Sequence, residues 1–117
     1  FKKPLNGSKI LIMGVAYKQD IDDYRESPAL KVIEHFEVVG STVEYYDPFI
    51  EKYRYKGTER YGITTLSEKV VREYDLVVVT TAHTTINYEF IQKYAKFIFD
   101  TKNAMKNVEN RENIELL

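Results

Sequence analysis

Cysteine is absent from these 117 residues, which excludes disulfides, thiolate metal sites and thiol nucleophiles from the chain. Histidine is scarce: His35 and His83 are the only imidazoles, too few for a dedicated zinc site, so no metal is expected. A charge excess of either sign is also missing. With 17 Lys+Arg against 18 Asp+Glu there is no basic field to attract a polyphosphate backbone, and nucleic acid is not an expected partner. No apolar run approaches the ~20 residues that span a bilayer, and Phe1-Lys2-Lys3-Pro4 is not followed by the apolar stretch of a signal peptide. These absences point away from the membrane and towards a cytoplasmic chain. What is present is material for one core: 44% hydrophobic and 30% charged residues, in a length that suits a single domain of roughly 100 to 150 residues. Pro4 and Gly7 mark residues 1–8 as a lead-in segment, which leaves 9–117 as the domain.

Apolar patterning along the chain alternates strand with helix. Residues 9–14 hold a short continuous apolar run after Lys9, closed by Gly14, the pattern of a strand buried on both faces. Ser27-Pro28 supplies a capping hydroxyl and a first-turn proline. Ala29, Leu30, Ile33 and Phe36 then recur at helical spacing, and Gly40 can close the helix in the left-handed conformation. Residues 42–46 read as a second strand stopped by Asp47-Pro48. The tyrosine-rich stretch 49–62, broken by Gly57, reads as an irregular connection. Thr65 and Glu68 match a capping box for a helix running to about Tyr74. Residues 75–81 are the clearest strand, being apolar and β-branched. Asn87 should cap a helix through Tyr94, residues 97–100 should be the fourth strand, and the polar tail from Ala104 is expected to be partly helical. This order predicts an α/β fold: a three-layer, Rossmann-like, doubly wound parallel sheet in a single domain. Ligands of such sheets bind outside the carboxyl ends of the strands, which singles out 17–25, Asp47, His83 and 101–103.

The segment 14–28 carries most of the chemical information. It is not a dinucleotide fingerprint, because Gly14 stands alone where three glycines would let a pyrophosphate approach the backbone, and no phosphate loop ending in Gly-Lys-Ser/Thr is present. Lys18 and Arg25 nevertheless fall on the crevice side, where cations can meet a diphosphate. Asp47, followed by proline, reads as a turn residue in preference to a ribose ligand. His83, an isolated histidine at a strand end, is expected to satisfy a local hydrogen bond, and His35 to serve packing or surface.

Gly14-x-Ala16-Tyr17-Lys18, Asp20-x-x-Asp23 and Arg25-x-Ser27-Pro28 together closely resemble the signature that opens the C-terminal, UDP-binding domain of the UDP-glucose/GDP-mannose dehydrogenase family. Tyr46-Asp47-Pro48, the strand end from Thr80 to His83, and Asp100-Thr101-Lys102-Asn103 match in order, so the resemblance runs from about Lys9 to Asn103. It implies an NAD-dependent enzyme that oxidises the primary alcohol of a UDP-sugar to a carboxylate in two steps. An N-terminal Rossmann domain would bind NAD and a central segment would supply a catalytic cysteine. This chain has neither feature, so it resembles the third part of such an enzyme, carries no catalytic residue of its own, and is not expected to oxidise substrate alone. By the same resemblance Tyr17 and Lys18 contact the UDP-sugar, and Arg25 reaches the cofactor held by a neighbouring subunit of a homodimer. Lys102 stands where the family has an arginine on the nucleotide-sugar, keeping the charge but losing the bidentate fork. Thr81-Ala82-His83 and Asn87-Tyr88 look most like the branch acting on UDP-N-acetylhexosamines for surface polysaccharide synthesis.

Two other classes stay open on the sequence. A receiver-type signalling domain is also α/β and would phosphorylate Asp47, although its acids should follow the first strand directly and Asp47 is followed by proline. A non-catalytic dimerisation module would self-associate without binding UDP.

Overall fold

The structure, a computed structural model, describes residues 6–16, 20, 24, 25 and 27–116. In chain order the elements are β1 (Lys9–Met13), α1 (Pro28–Val38), β2 (Thr42–Tyr46), β3 (Lys52–Tyr55), β4 (Thr58–Tyr61), α2 (Glu68–Arg72), β5 (Leu76–Val79), α3 (Tyr88–Tyr94), β6 (Ile98–Asp100) and β7 (Ile114–Leu116). Among the described residues five strands form one sheet in the order β2-β1-β5-β6-β7, and every neighbouring pair is parallel.

Strand alternation divides the core into two layers. Ile10, Ile12, Leu76 and Val78 point to one face, where Ala29, Leu30 and Ile33 of α1 cover them. Leu11, Met13, Val77 and Val79 point to the other, against Val71 of α2 and Ile91 of α3. Helices on both faces of an all-parallel sheet make the three-layer α/β architecture expected from the sequence. Among the described residues no helix is long and apolar enough to cross a membrane.

Helix α1 begins and ends as its sequence dictates. The Ser27 hydroxyl accepts the Ala29 N–H at 3.2 Å, Pro28 occupies the first turn, and Gly40 follows the helix at φ +96°. Helix α3 is likewise capped by Asn87, whose side-chain oxygen accepts from Phe90.

Three expectations are corrected. Residues 52–61 are not irregular: β3 and β4 pair as an antiparallel hairpin around Lys56-Gly57, with φ of +50° and +81°. Gly57 therefore makes the tight turn and does not break the strand, since two successive positive φ values match the right-handed strand twist. Tyr53 points inwards, 5.2 Å from the Tyr45 ring, and the Arg60 guanidinium forks onto the Glu37 carboxylate of α1, so the hairpin lies against the α1 side of the sheet. Helix α2 is capped by Ser67, whose Oγ accepts the Val70 N–H at 3.2 Å; Glu68 pairs with Arg72 one turn on and forms no capping box with Thr65. The tail carries the fifth sheet strand, β7, where a partly helical run was expected. The Asn113 amide donates to the carbonyls of Gln92 and Ala95, and the Asn113 carbonyl accepts the Ile98 N–H, which sets β7 in register.

Candidate functional site

From β1 the chain moves outward to β2 and then returns to β5 on the other side of β1. The order therefore reverses between β1 and β5, and the crevice of an open α/β sheet lies outside the carboxyl ends at such a point. Gly14 sits there at φ +95°. A Cβ on it would lie 2.5 Å from Thr81 Cβ, so only glycine permits this approach of β1 to the β5 end. The Thr80 hydroxyl donates to the Gly14 carbonyl and the Thr81 hydroxyl to the Ala16 carbonyl, which locks the two strand ends together.

Asp47 lies at the centre. Its carboxylate is buried, and Oδ2 accepts the backbone N–H groups of Val15 at 2.8 Å and Ala16 at 3.0 Å, while Oδ1 accepts the Phe49 N–H at 2.8 Å. The fourth partner is His83, wholly buried, with Nε2 2.9 Å from Asp47 Oδ2. The tautomer follows from the other nitrogen. His83 Nδ1 lies 2.7 Å from the Asp20 backbone nitrogen, which can only donate, so Nδ1 accepts and the ring proton sits on Nε2, directed at Asp47. Four N–H donors thus compensate a carboxylate that would otherwise be costly to bury. Phe49 lies across the imidazole at 5.0 Å between ring centroids.

Asp20 closes this network towards solvent. Its backbone is left-handed, φ +60°, and its carboxylate accepts both the backbone N–H and the hydroxyl of Thr84, each at 2.8 Å. Those two hydrogen bonds hold the Asp20 carboxyl below the usual carboxylate range, against a small opposing effect of burial. The Tyr88 hydroxyl donates to the His83 carbonyl at 2.7 Å, and burial, then the charges of Asp100, Asp20 and Asp47, pushes its phenol well above the ordinary value.

A second turn of the same kind follows β6. The buried Asp100 carboxylate accepts the backbone N–H groups of Lys102, Ala104 and Met105 at 2.8 to 3.1 Å, with Asn103 at φ +54°. The Lys102 side chain is exposed there, at the carboxyl edge of the sheet where the sequence places it. Arg25 is also exposed, in the turn just before α1. Tyr17 and Lys18 lie outside the described residues.

Asp47 does make the expected turn bond, yet the larger part of its role is to gather β1, β2 and the β5 end. His83 makes long-range bonds where a local one was expected. Both were flagged by their places at strand ends, but nothing in the sequence signals that they meet. With its oxygens committed to four N–H groups, Asp47 is not available to a ribose hydroxyl. The same burial removes the receiver-type reading, which needs an accessible aspartate. Among the described residues no cluster of three metal-ligating side chains occurs. A hollow of about 270 Å³ opens beside the β2 end between Asp47, Pro48, Ile50 and Ile63. A larger one of about 330 Å³ lies between β2 and the hairpin, away from the strand ends, so volume alone would misplace the site.

Comparison with known proteins agrees with this geometry. The UDP-glucose/GDP-mannose dehydrogenase family, UDP binding domain, matches residues 11–107. A UDP-N-acetyl-D-mannosamine dehydrogenase of Pyrococcus horikoshii is 35% identical over 102 residues, covering 83% of this chain and 22% of that enzyme. A UDP-N-acetyl-D-glucosamine 6-dehydrogenase of Salmonella typhi is 29% identical over 84 residues, 70% of this chain and 19% of that protein. The solved structure of a UDP-D-ManNAc dehydrogenase from Pyrococcus horikoshii superimposes with a TM-score of 0.72 at 33% identity, covering 97% of this chain and 26% of the other. The chain thus spans about a quarter of the length of the relatives it matches. Over nearly its whole length, then, this chain belongs to the UDP-glucose/GDP-mannose dehydrogenase family, as its UDP binding domain.

Proposed function

We propose that this chain is the nucleotide-sugar-binding part of a cytoplasmic, NAD-dependent UDP-sugar 6-dehydrogenase. The substrate is a UDP-N-acetylhexosamine, whose C6 alcohol is oxidised to a carboxylate for surface polysaccharide synthesis. The observation that carries this reading is the coincidence of the 14–28 signature with the β1/β5 switch point, in a chain whose relatives include UDP-N-acetyl-D-mannosamine dehydrogenases. NAD does not fit the residues present: Gly14 is a lone glycine and the Asp47 carboxylate is committed internally. By the family resemblance, the cofactor and the catalytic cysteine are assigned to N-terminal and central domains of the same enzyme.

In this reading the chain binds and orients. Lys18 and Tyr17 follow β1 by a few residues, and Lys102 stands beyond β6 on a turn fixed by Asp100. The Lys18 and Lys102 cations meet the diphosphate and Tyr17 contacts the UDP-sugar, while Arg25 is directed to the cofactor of the partner subunit in a homodimer. A hydrogen bond from Lys18 to a partly desolvated diphosphate contributes roughly 1.5 to 3 kcal/mol. Lys18→Ala in the intact enzyme is therefore expected to weaken UDP binding about 10-fold or more. Lys18→Arg should recover part of the affinity and the neutral Lys18→Gln should not. Isothermal titration with UDP checks this, and equal affinities for the wild type, Ala and Gln forms would remove Lys18 from the site.

A further inference from the structure

His83 is a buried group that the chemistry proposed above does not use, yet it joins more chain segments than any simple packing role requires. Through Nε2–H it is bonded to Asp47, which holds the Val15 and Ala16 amides; through Nδ1 it accepts the N–H of Asp20. Asp20 lies midway between the β1 end and α1, in a left-handed conformation that a non-glycine residue keeps only when its surroundings hold it. Two contacts do so. The carboxylate bonds to Thr84 are exposed, where water can replace them, whereas the bond to Nδ1 ends on a ring with no solvent exposure, sealed by Phe49.

We propose that His83 is a positioning residue for nucleotide binding: its Nδ1 anchors the chain between β1 and α1 at Asp20, and nucleotide affinity depends on that anchor. This rests on the UDP-binding role proposed for Lys18, two residues before Asp20. The imidazole has two separable jobs. One is structural, donation from Nε2 to Asp47; the other is loop-holding, acceptance at Nδ1.

Two substitutions divide these jobs. His83→Asn places an amide oxygen near the Nδ1 position, keeping an acceptor for Asp20 while losing the donor to Asp47. His83→Gln places an amide nitrogen near Nε2, keeping that donor and removing the acceptor. In the intact protein, hydrogen–deuterium exchange at the Asp20 amide should stay slow in the Asn form and become fast in the Gln form. UDP affinity by titration should follow exchange and not thermal stability: the Gln form should bind about 10-fold more weakly than the Asn form, although the Asn form melts lower. Slow exchange at Asp20 in the Gln form would overturn the proposal, as would fast exchange with unchanged UDP affinity. Absence of UDP binding in the unsubstituted protein would instead overturn the reading of the site, and the exchange comparison keeps the two failures apart.

Discussion

Asp47 and His83 behave as one unit at the scale of single residues. The carboxylate has four N–H donors and both imidazole nitrogens are bonded, so the pair is engaged with the chain itself. The residues proposed to touch ligand include two exposed cations, Arg25 and, on the turn fixed by Asp100, Lys102. Arg25 is exposed in the turn before α1, and its proposed role is contact with the cofactor across a dimer. Arg25→Ala in the intact enzyme is expected to raise the KM for NAD more than the KM for UDP-sugar. If only the UDP-sugar value moves, the cross-subunit role is wrong. If neither moves while the melting temperature falls, Arg25 serves only its own chain.

Two glycines show, at the scale of elements, how similar backbone conformations carry different consequences. Gly57, at φ +81° in the β3–β4 turn, has open space where a Cβ would go; Gly14, at φ +95°, has Thr81 there. Gly57→Ala should therefore cost only the left-handed backbone strain, about 1 to 2 kcal/mol. Gly14→Ala adds the overpacking of a closed contact, about 1 to 3 kcal/mol more, and displaces the strand ends that frame the crevice. Urea unfolding is the check: equal midpoint shifts for the two variants would mean that the β1–β5 ends are not in close contact. The hairpin itself escaped the pattern because its four-residue strands, Lys52–Tyr55 and Thr58–Tyr61, are mostly polar and carry the same tyrosines that mark a surface loop. What makes them strands is burial of Tyr53 against Tyr45 and the Arg60–Glu37 fork, contacts to residues outside the hairpin itself.

Ten tyrosines bear on the whole molecule. Burial pushes the Tyr53 phenol up to about 12, and Tyr45, Tyr74 and Tyr88 are raised further, for the same leading reason. A phenol whose folded value exceeds its unfolded value near 10 contributes stability that is fully present below about pH 10. That stability is lost as pH rises towards the folded value. Between about pH 10 and 12, then, unfolding free energy should fall with pH. Phenolate absorbance from these four rings should appear together with loss of far-UV circular dichroism. Ionisation of all ten in one step near pH 10, with the dichroism intact, would contradict their burial.

The sequence by itself determined the α/β class, the sheet strands β1, β2, β5 and β6, and the helices α1 and α3. Each of these is written locally: β1 and β5 as unbroken apolar runs, the helices as Ser27-Pro28 and Asn87 caps before periodic apolar faces. It also placed Asp47, His83 and Lys102 at strand ends and, through the 14–28 signature, indicated the family. Only the tertiary structure decided that β7 completes the sheet, that Ser67 and not Thr65 caps α2, and that Asp47, His83 and Asp20 form one network. The reason is separation along the chain. Asp47 and His83 are 36 residues apart, and Asp20 and His83 are 63 apart. A hydrogen bond of that span has no periodicity or neighbouring residue to announce it, and exists only because three parallel strands end at the same level.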